Sequence, residues 1–386
     1  MRVGLLAARM DAMGGVESVM VRTARHLQAI EKRPVVVTTV MHDEVREELG
    51  DIEVRLLGDA PLAGRMAAVE RFGTKTMEAL ADCDAINVHN FPAHIWLDRR
   101  AGSRVVVYSC HEPPRHLYEE VMDATFLRSP FNRRPWYTRT WDHWMGARWR
   151  VLDRGAVHRA QYVLTNSRYT AGKIKEIYGY SAIPCYFGPV TDGVAVPEDR
   201  APGFRVLFAG RLTPMKNLQT CLRAVALVSQ ATFHVIGEGD QRPGLEALAA
   251  SLGISSRVEF LGSVSEARLE EEYARAHAAL YIPFDEPMGL IPMEAALREV
   301  PSVVSSHAGP AEVVLDGQTG IHVDAKDPAS VADGLTRLAA DPALRARLGA
   351  GARERVRQDM SFDLYAHTLE TVLNSALWRV GEEQPS

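Results

Sequence analysis

The chain has 386 residues, 46% hydrophobic and 24% charged, with a formal net charge of −5. That composition excludes a disordered or fibrous protein, the charge argues against a dedicated nucleic-acid binder, and the length leads us to expect two domains. In chain order, short β-branched runs predict strands at residues 3–7, 35–40, 85–88, 105–108 and 162–165, with helical apolar spacing between them. Strands alternating with helices imply a parallel sheet covered on both faces. A second series begins at residues 205–209 and continues through 232–236, 258–261, 279–282 and 302–305, which reads as a second doubly wound unit. Gly188-Pro189, Asp192-Gly193, Pro197 and Pro202-Gly203 place a linker at 188–203. The expected domains are therefore 1–187 and 204–360. Ligands of open α/β sheets bind beyond the carboxyl ends of the strands, so two such domains facing each other would frame a central cleft.

Cys83, Cys110, Cys185 and Cys221 show no C-x-x-C spacing, so neither a zinc site nor a disulfide framework is expected and the four read as small core residues of a reducing compartment. The opening apolar run is too short for a secretory signal. No run approaches the roughly 18 apolar residues of a spanning helix. A cytoplasmic protein is expected, with peripheral attachment at the inner membrane face as the alternative.

Glu286 and Glu294 stand eight residues apart around Pro287 and Gly289. A helix starting at Pro287 would offer unpaired N–H groups and a positive dipole end to an anion. It would also set the two carboxylates about 12 Å apart along its axis, a separation that suits an extended nucleotide sugar. The plain alternative is one acid complementing the dipole and one on the surface. Arg211 and Lys216 precede a helix bearing Leu218, Leu222 and Val225 on one face; cations at a helix N-terminus are disfavoured, a conflict that an anionic ligand would resolve. Gly14 and Gly15 let the backbone approach a bound group or simply make a tight turn. His111 follows a strand end and would project into the cleft, or pack as a structural histidine. Residues 126–160 hold eight Arg, no Lys and four of the six Trp. Tyr137, Trp141, Trp144 and Arg148 fall on one helical stripe that would meet an anionic membrane, hold a large acceptor or pack into the domain.

In this order, Gly14 to Glu17, His111, Gly210-Arg211-Leu212 with Lys216-Asn217, Gly237-Glu238-Gly239, Leu261-Gly262, Glu286 with Glu294, Gly309 and Glu312 to Gly320 resemble the retaining glycosyltransferases of family four, which have the GT-B fold. The resemblance implies that Arg211 and Lys216 bind the donor diphosphate and stabilise it as it leaves, and that Glu294 binds the ribose hydroxyls. Glu286 would hold hydroxyls of the transferred sugar, with backbone N–H groups at Met288, Gly289 and Leu290 near the phosphates. Gly15 would line the diphosphate from the other domain, and His111 would contact the sugar near its reacting carbon. Gly210, Glu238 and Leu261 complete the expected nucleotide site. A terminal helix at 361–380 would cross back to the first domain. Two departures stand out: Ala308, where a glycine often precedes Gly309, and Phe187-Gly188, in place of an asparagine-glycine pair.

The implied reaction is metal-independent, retaining transfer from a UDP- or GDP-hexose to a glycan, a lipid-linked or a small-molecule acceptor, with no cofactor. Two cations and a helix N-terminus would meet the charge of the leaving diphosphate. A sugar-nucleotide epimerase on the same architecture, and a non-catalytic nucleotide- or carbohydrate-binding module, are the competing readings.

Overall fold

The computed structural model describes residues 1–11, 14–58, 66–97, 104–122, 136–191, 193–197, 200 and 202–382, with side chains at 66–71, 136–145 and 376–382 left aside. The chain divides into two compact units, one formed by Met1–Met122, the 133–187 segment and the chain after Phe362, the other by Gly188–Phe362.

The first unit runs β1 (Arg2–Ala7), α1 (Gly15–Ala29), β2 (Arg33–Thr38), α2 (Asp43–Leu49), β3 (Glu53–Leu56), α3 (Met66–Ala79), β4 (Ala85–His89), β5 (Val105–Cys110), α4 (Trp136–Val157), β6 (Tyr162–Thr165), α5 (Arg168–Tyr178) and β7 (Ile183–Pro184). All its strands pair in parallel, in the order β3-β2-β1-β4-β5-β6-β7. Central strands are mostly apolar because helices cover both faces; β4 and β5 are buried at every position, with Asn87, His89 and Ser109 as buried polar residues among them. The strand order reverses between β1 and β4, and the loops following β1, β4 and β5 carry Gly14, Asn90 and His111.

The second unit runs β8 (Phe204–Ala209), α6 (Leu218–Leu227), β9 (Ala231–Ile236), α7 (Arg242–Ser251), β10 (Val258–Gly262), α8 (Glu266–Arg275), β11 (Ala278–Tyr281), α9 (Leu290–Leu297), β12 (Ser302–Ser305), α10 (Ala308–Val313), β13 (Gly320–Val323), α11 (Pro328–Ala340) and α12 (Pro342–Asp359). Its sheet is also parallel, in the order β10-β9-β8-β11-β12-β13. The order reverses between β8 and β11, so the loops after these strands are where a ligand crevice is expected. Those loops hold Arg211 and Lys216 on one side and Glu286 on the other.

The last helix, α13 (Phe362–Glu382), belongs to the first unit from Asp363 onward, where buried Tyr365 packs against Phe187 with ring centroids 4.6 Å apart. Three short strands, β3, β7 and β13, escape the sequence reading because they are too brief or too mixed to show periodicity. All four cysteines are buried and free. Tyr137, Trp141 and Trp144, most of the aromatic stripe, lie on α4, but their side chains fall outside what is described. Trp149 packs edge-on to Phe91 at 6.0 Å, against the core of the unit, and Arg148 is exposed. Buried Asp153 anchors the same helix, accepting from Tyr118 Oη at 2.6 Å and Tyr178 Oη at 2.8 Å and pairing with His94 Nε2 at 2.7 Å. Among the described residues no helix is long and apolar enough to cross a membrane.

Candidate functional site

In the second unit the loop after β8 is drawn tightly against its neighbour. Gly210 N–H donates to Ile236 O at 2.9 Å, and a Cβ at Gly237 would lie 2.0 Å from Gly210 O, so no side chain fits there. Leu212 N–H donates to Glu238 O at 2.8 Å. Asn217, in the left-handed region with φ 55°, donates from Nδ2 to Ile282 O at 3.1 Å and Ala325 O at 2.7 Å. These bonds tie the 211–217 loop to the end of β11 and carry Lys216 to the segment that bears Glu286.

Lys216 Nζ donates to Glu286 Oε2 at 2.8 Å and to Tyr281 Oη at 2.9 Å. Tyr281 is buried and its hydroxyl in turn bonds Glu286; burial first, and then the Glu286 charge, push its pKa well up. The ammonium also lies over the Tyr281 ring, 5.2 Å from its centroid. Glu286 thus supplies a negative charge to Lys216 from within the chain. Arg211 is exposed and has no ion-pair partner among the described residues.

The helix start differs from expectation. It falls at Leu290 rather than Pro287, with Gly289 as N-cap at φ 151°, a conformation that favours glycine. Glu286 therefore lies in the preceding loop, and the 12 Å separation along a shared axis does not apply. Gly289 supplies no capping side chain, so the Leu290 and Ile291 N–H groups head the helix unserved by one. The loop is held from behind: Gly309 N–H donates to Glu286 O at 2.9 Å, and a Cβ on Gly309 would meet Met288 Cα and Pro287 O at 2.3 Å. Met288 is buried against this contact.

Glu294 is half-buried on α9, where Tyr273 Oη donates to its Oε2 at 2.7 Å. Arg298 binds the Glu294 main-chain oxygen, pairs with Glu270 and stacks over Tyr273 at 5.0 Å. The sequence offers no signal for Tyr273 or Tyr281, since a lone tyrosine on a helix or at the end of a buried strand reads as core. Leu261 packs beside the end of β10, where Gly262 O accepts from Gly237 N–H at 2.8 Å. Glu238 is exposed and turned to Arg242, with Nη1 2.7 Å from Oε1.

In the first unit Gly14 caps α1 without a side chain and Gly15 is its exposed first residue; Ala12 and Met13 lie outside the described residues. His111 directly follows β5 and is half-buried. Its Nε2 meets His89 Nδ1 at 3.1 Å, and its ring packs on Phe187 at 4.5 Å. Burial, and then His89, hold its pKa well below the usual imidazole range.

One pair of closely spaced carboxylates lies outside the residues named so far. Asp82-Cys83-Asp84 is a D-x-D triplet, a spacing that can serve a divalent cation. Both acids are engaged elsewhere: Asp82 takes Arg55 in a two-bond pair at 2.7 and 2.8 Å, and Asp84 accepts the Arg2 N–H at 2.7 Å. Among the described residues no group of three or more His, Cys, Asp or Glu could hold a metal ion.

Residues 13–186 match the family model described as Glycosyltransferase Family 4, and residues 198–355 match that of Glycosyl transferases group 1. The chain is 30% identical over 256 residues to the D-inositol 3-phosphate glycosyltransferase of Thermomonospora curvata, an alignment covering 55% of this chain and 58% of that protein. It spans about half the length of the curated relatives it matches. In fold it is similar to the sucrose-phosphate synthase of Thermosynechococcus elongatus, with TM-score 0.79 and 18% identity over 98% of this chain and 99% of that one. It is similar also to Anabaena HepE in complex with UDP-glucose, with TM-score 0.78 and 19% identity over 97% of this chain and 100% of that one. The shared architecture is GT-B.

Proposed function

The chain belongs to glycosyltransferase family 4, with the group 1 glycosyl transferase pattern over its second half, and from that premise we propose that it transfers a hexose from a UDP- or GDP-hexose to an acceptor hydroxyl with retention of configuration. The observation that carries this reading is the pair of Lys216 and Glu286, 2.8 Å apart beside the start of α9. A nucleotide sugar has hydroxyl donors on one side of its scissile bond and a dianion on the other. A carboxylate and an ammonium held side by side match that junction, the carboxylate taking sugar hydroxyls and the ammonium the diphosphate.

In this reading the bond between the anomeric carbon and the diphosphate oxygen breaks as positive charge grows on the sugar. Lys216, Arg211 and the N–H groups at the head of α9 stabilise the departing charge, so the site calls for no metal. The acceptor attacks the face that the diphosphate leaves, and a phosphate oxygen takes the acceptor proton. Glu294, steadied by Tyr273, holds the ribose hydroxyls. Gly210, Glu238, Leu261, Met288, Gly289 and Leu290 border the nucleotide, while Gly15 and His111 serve from the first unit, which takes the acceptor. That a similarly folded protein holds UDP-glucose supports a uridine donor. We place the activity in the cytoplasm on a glycan, lipid-linked or small-molecule acceptor; flotation with anionic liposomes tests attachment through residues 126–160.

The deciding assay is a donor panel of UDP- and GDP-hexoses, read as nucleoside diphosphate release and as the anomeric configuration of the product. Lys216→Ala is expected to lower turnover by about 10²-fold or more. Near-normal transfer by the folded variant refutes the assignment, and conversion of donor to an epimer with no diphosphate released identifies an epimerase.

A further inference from the structure

Asn87, His89 and His111 form a hydrogen-bonded row in the first unit. Asn87 Nδ2 donates to Ser109 Oγ at 2.9 Å and Val107 O at 3.3 Å, so it is Oδ1 that meets His89 Nε2 at 2.7 Å. An amide oxygen can only accept, and His89 therefore carries its proton on Nε2. Burial at 1% exposure pushes the His89 pKa down to about 3, leaving the ring neutral with a lone pair on Nδ1. That lone pair faces His111 Nε2 at 3.1 Å, so His111 donates from Nε2. A neutral imidazole has one proton, and the His111 Nδ1 is left as an acceptor.

The ring is also held in place. The His111 N–H donates to Asn90 Oδ1 at 2.9 Å, and its carbonyl accepts from Asn166 Nδ2 at 2.9 Å. Phe187 meets the ring at 4.5 Å and 64°, and is itself backed by Tyr365.

We propose that His89 is a positioning residue that locks His111 in the Nε2–H tautomer, so that His111 offers Nδ1 as acceptor to one hydroxyl of the transferred sugar. A neutral lone pair suits a hydroxyl donor and repels a phosphate oxygen, which makes the ligand class at this atom a sugar hydroxyl. The sugar contact rests on the reading of His111 given above; the tautomer does not depend on it.

Two-bond proton–nitrogen spectra of the full chain labelled with 15N-histidine distinguish the tautomers, with His89→Gln and His111→Gln assigning the two rings. At pH 7.5 both rings are expected to be protonated on Nε2 and bare on Nδ1; a His111 ring protonated on Nδ1, or cationic, overturns the proposal. His89→Phe fills the volume without an acceptor and is expected to leave His111 as a tautomer mixture. With UDP-glucose or GDP-mannose, whichever the donor panel turns over, its kcat is expected to fall about tenfold while donor KM holds within about threefold. His89→Gln, with donor and acceptor on one amide, is expected to restore kcat to within about threefold of wild type. Equal loss in both variants, or unchanged kcat in a His89→Phe protein whose His111 tautomer is mixed, overturns the positioning role. If neither donor is turned over by the unaltered protein, the proposed transfer fails and the spectra still decide the tautomer.

Discussion

Tyr273 lends its hydroxyl to Glu294 at 2.7 Å from a position that is 1% exposed. Tyr273→Phe removes only that oxygen, so the effect belongs to the carboxylate's orientation and not to packing. A hydrogen bond to a charged group contributes about 1.5–3 kcal/mol, and a share of it is expected to appear as a donor KM raised roughly fivefold at little-changed kcat. Steady-state kinetics on the variant check this; an unchanged KM counts against a ribose role for Glu294. Phe187 shows why a departure from the family pattern is tolerated. It is 1% exposed between His111 and Tyr365, so restoring asparagine by Phe187→Asn is expected to destabilise the protein by about 3–5 kcal/mol, measured by urea denaturation. Ala308 is the other departure, and it adopts φ 63°, the left-handed region that glycine enters freely, which explains why glycine is common there.

At the scale of elements, α10 acts as the backstop of the Glu286 loop. A methyl on Gly309 would occupy the place of Met288 Cα and Pro287 O, both backbone and neither able to swing aside. Gly309→Ala is therefore expected to push the loop away from Lys216 and lower turnover at least about tenfold while far-UV circular dichroism stays that of the parent. Full activity in that variant would show that the loop can yield. The misplaced start of α9 has a related cause. Pro287 is a sound first-turn signal in isolation, but Gly289 at φ 151° cannot continue a helix begun there, and the residues just before it, Pro287 and Met288, lie in close contact with Gly309. Element existence was legible from periodicity; this boundary was decided by contacts 20 residues away along the chain.

At the scale of the whole molecule, both units carry buried histidines held neutral. Burial lowers His89 to about 3 in the first unit; in the second, burial and then Arg345, Arg200 and Arg205 lower His277 to about 4, each from 6.5. Between those values and 6.5 the unfolded chain binds more protons than the folded one, so stability rises with pH across that window. It is complete above about pH 6.5 and is lost as the pH falls toward 3 or 4. At pH 5.5 the linkage amounts to about 1.4 kcal/mol per histidine, roughly 3 kcal/mol for the two. Urea midpoints at pH 7.5 and 5.5 test the sign; a midpoint that holds or rises on acidification contradicts it.

From the sequence alone came two doubly wound units, an expected linker and a family with its candidate site residues, because strand and helix periodicity and the spacing of Arg211, Lys216, Glu286 and Glu294 are local properties of a chain. Lys216 and Glu286 were each nameable, yet that they neutralise one another across 70 positions is decided by Asn217 stitching its loop to β11. Tyr273, Tyr281 and the Asn87–His89–His111 row were not readable, since a buried polar side chain looks like core until its partner is known. The Asp82–Asp84 triplet is plain in the chain as a spacing, and tertiary structure alone shows Asp82 held by the Arg55 guanidinium and Asp84 by the Arg2 main-chain N–H. Partners brought together by a sheet are set by the order of its strands, and that order is a long-range property no sequence window contains.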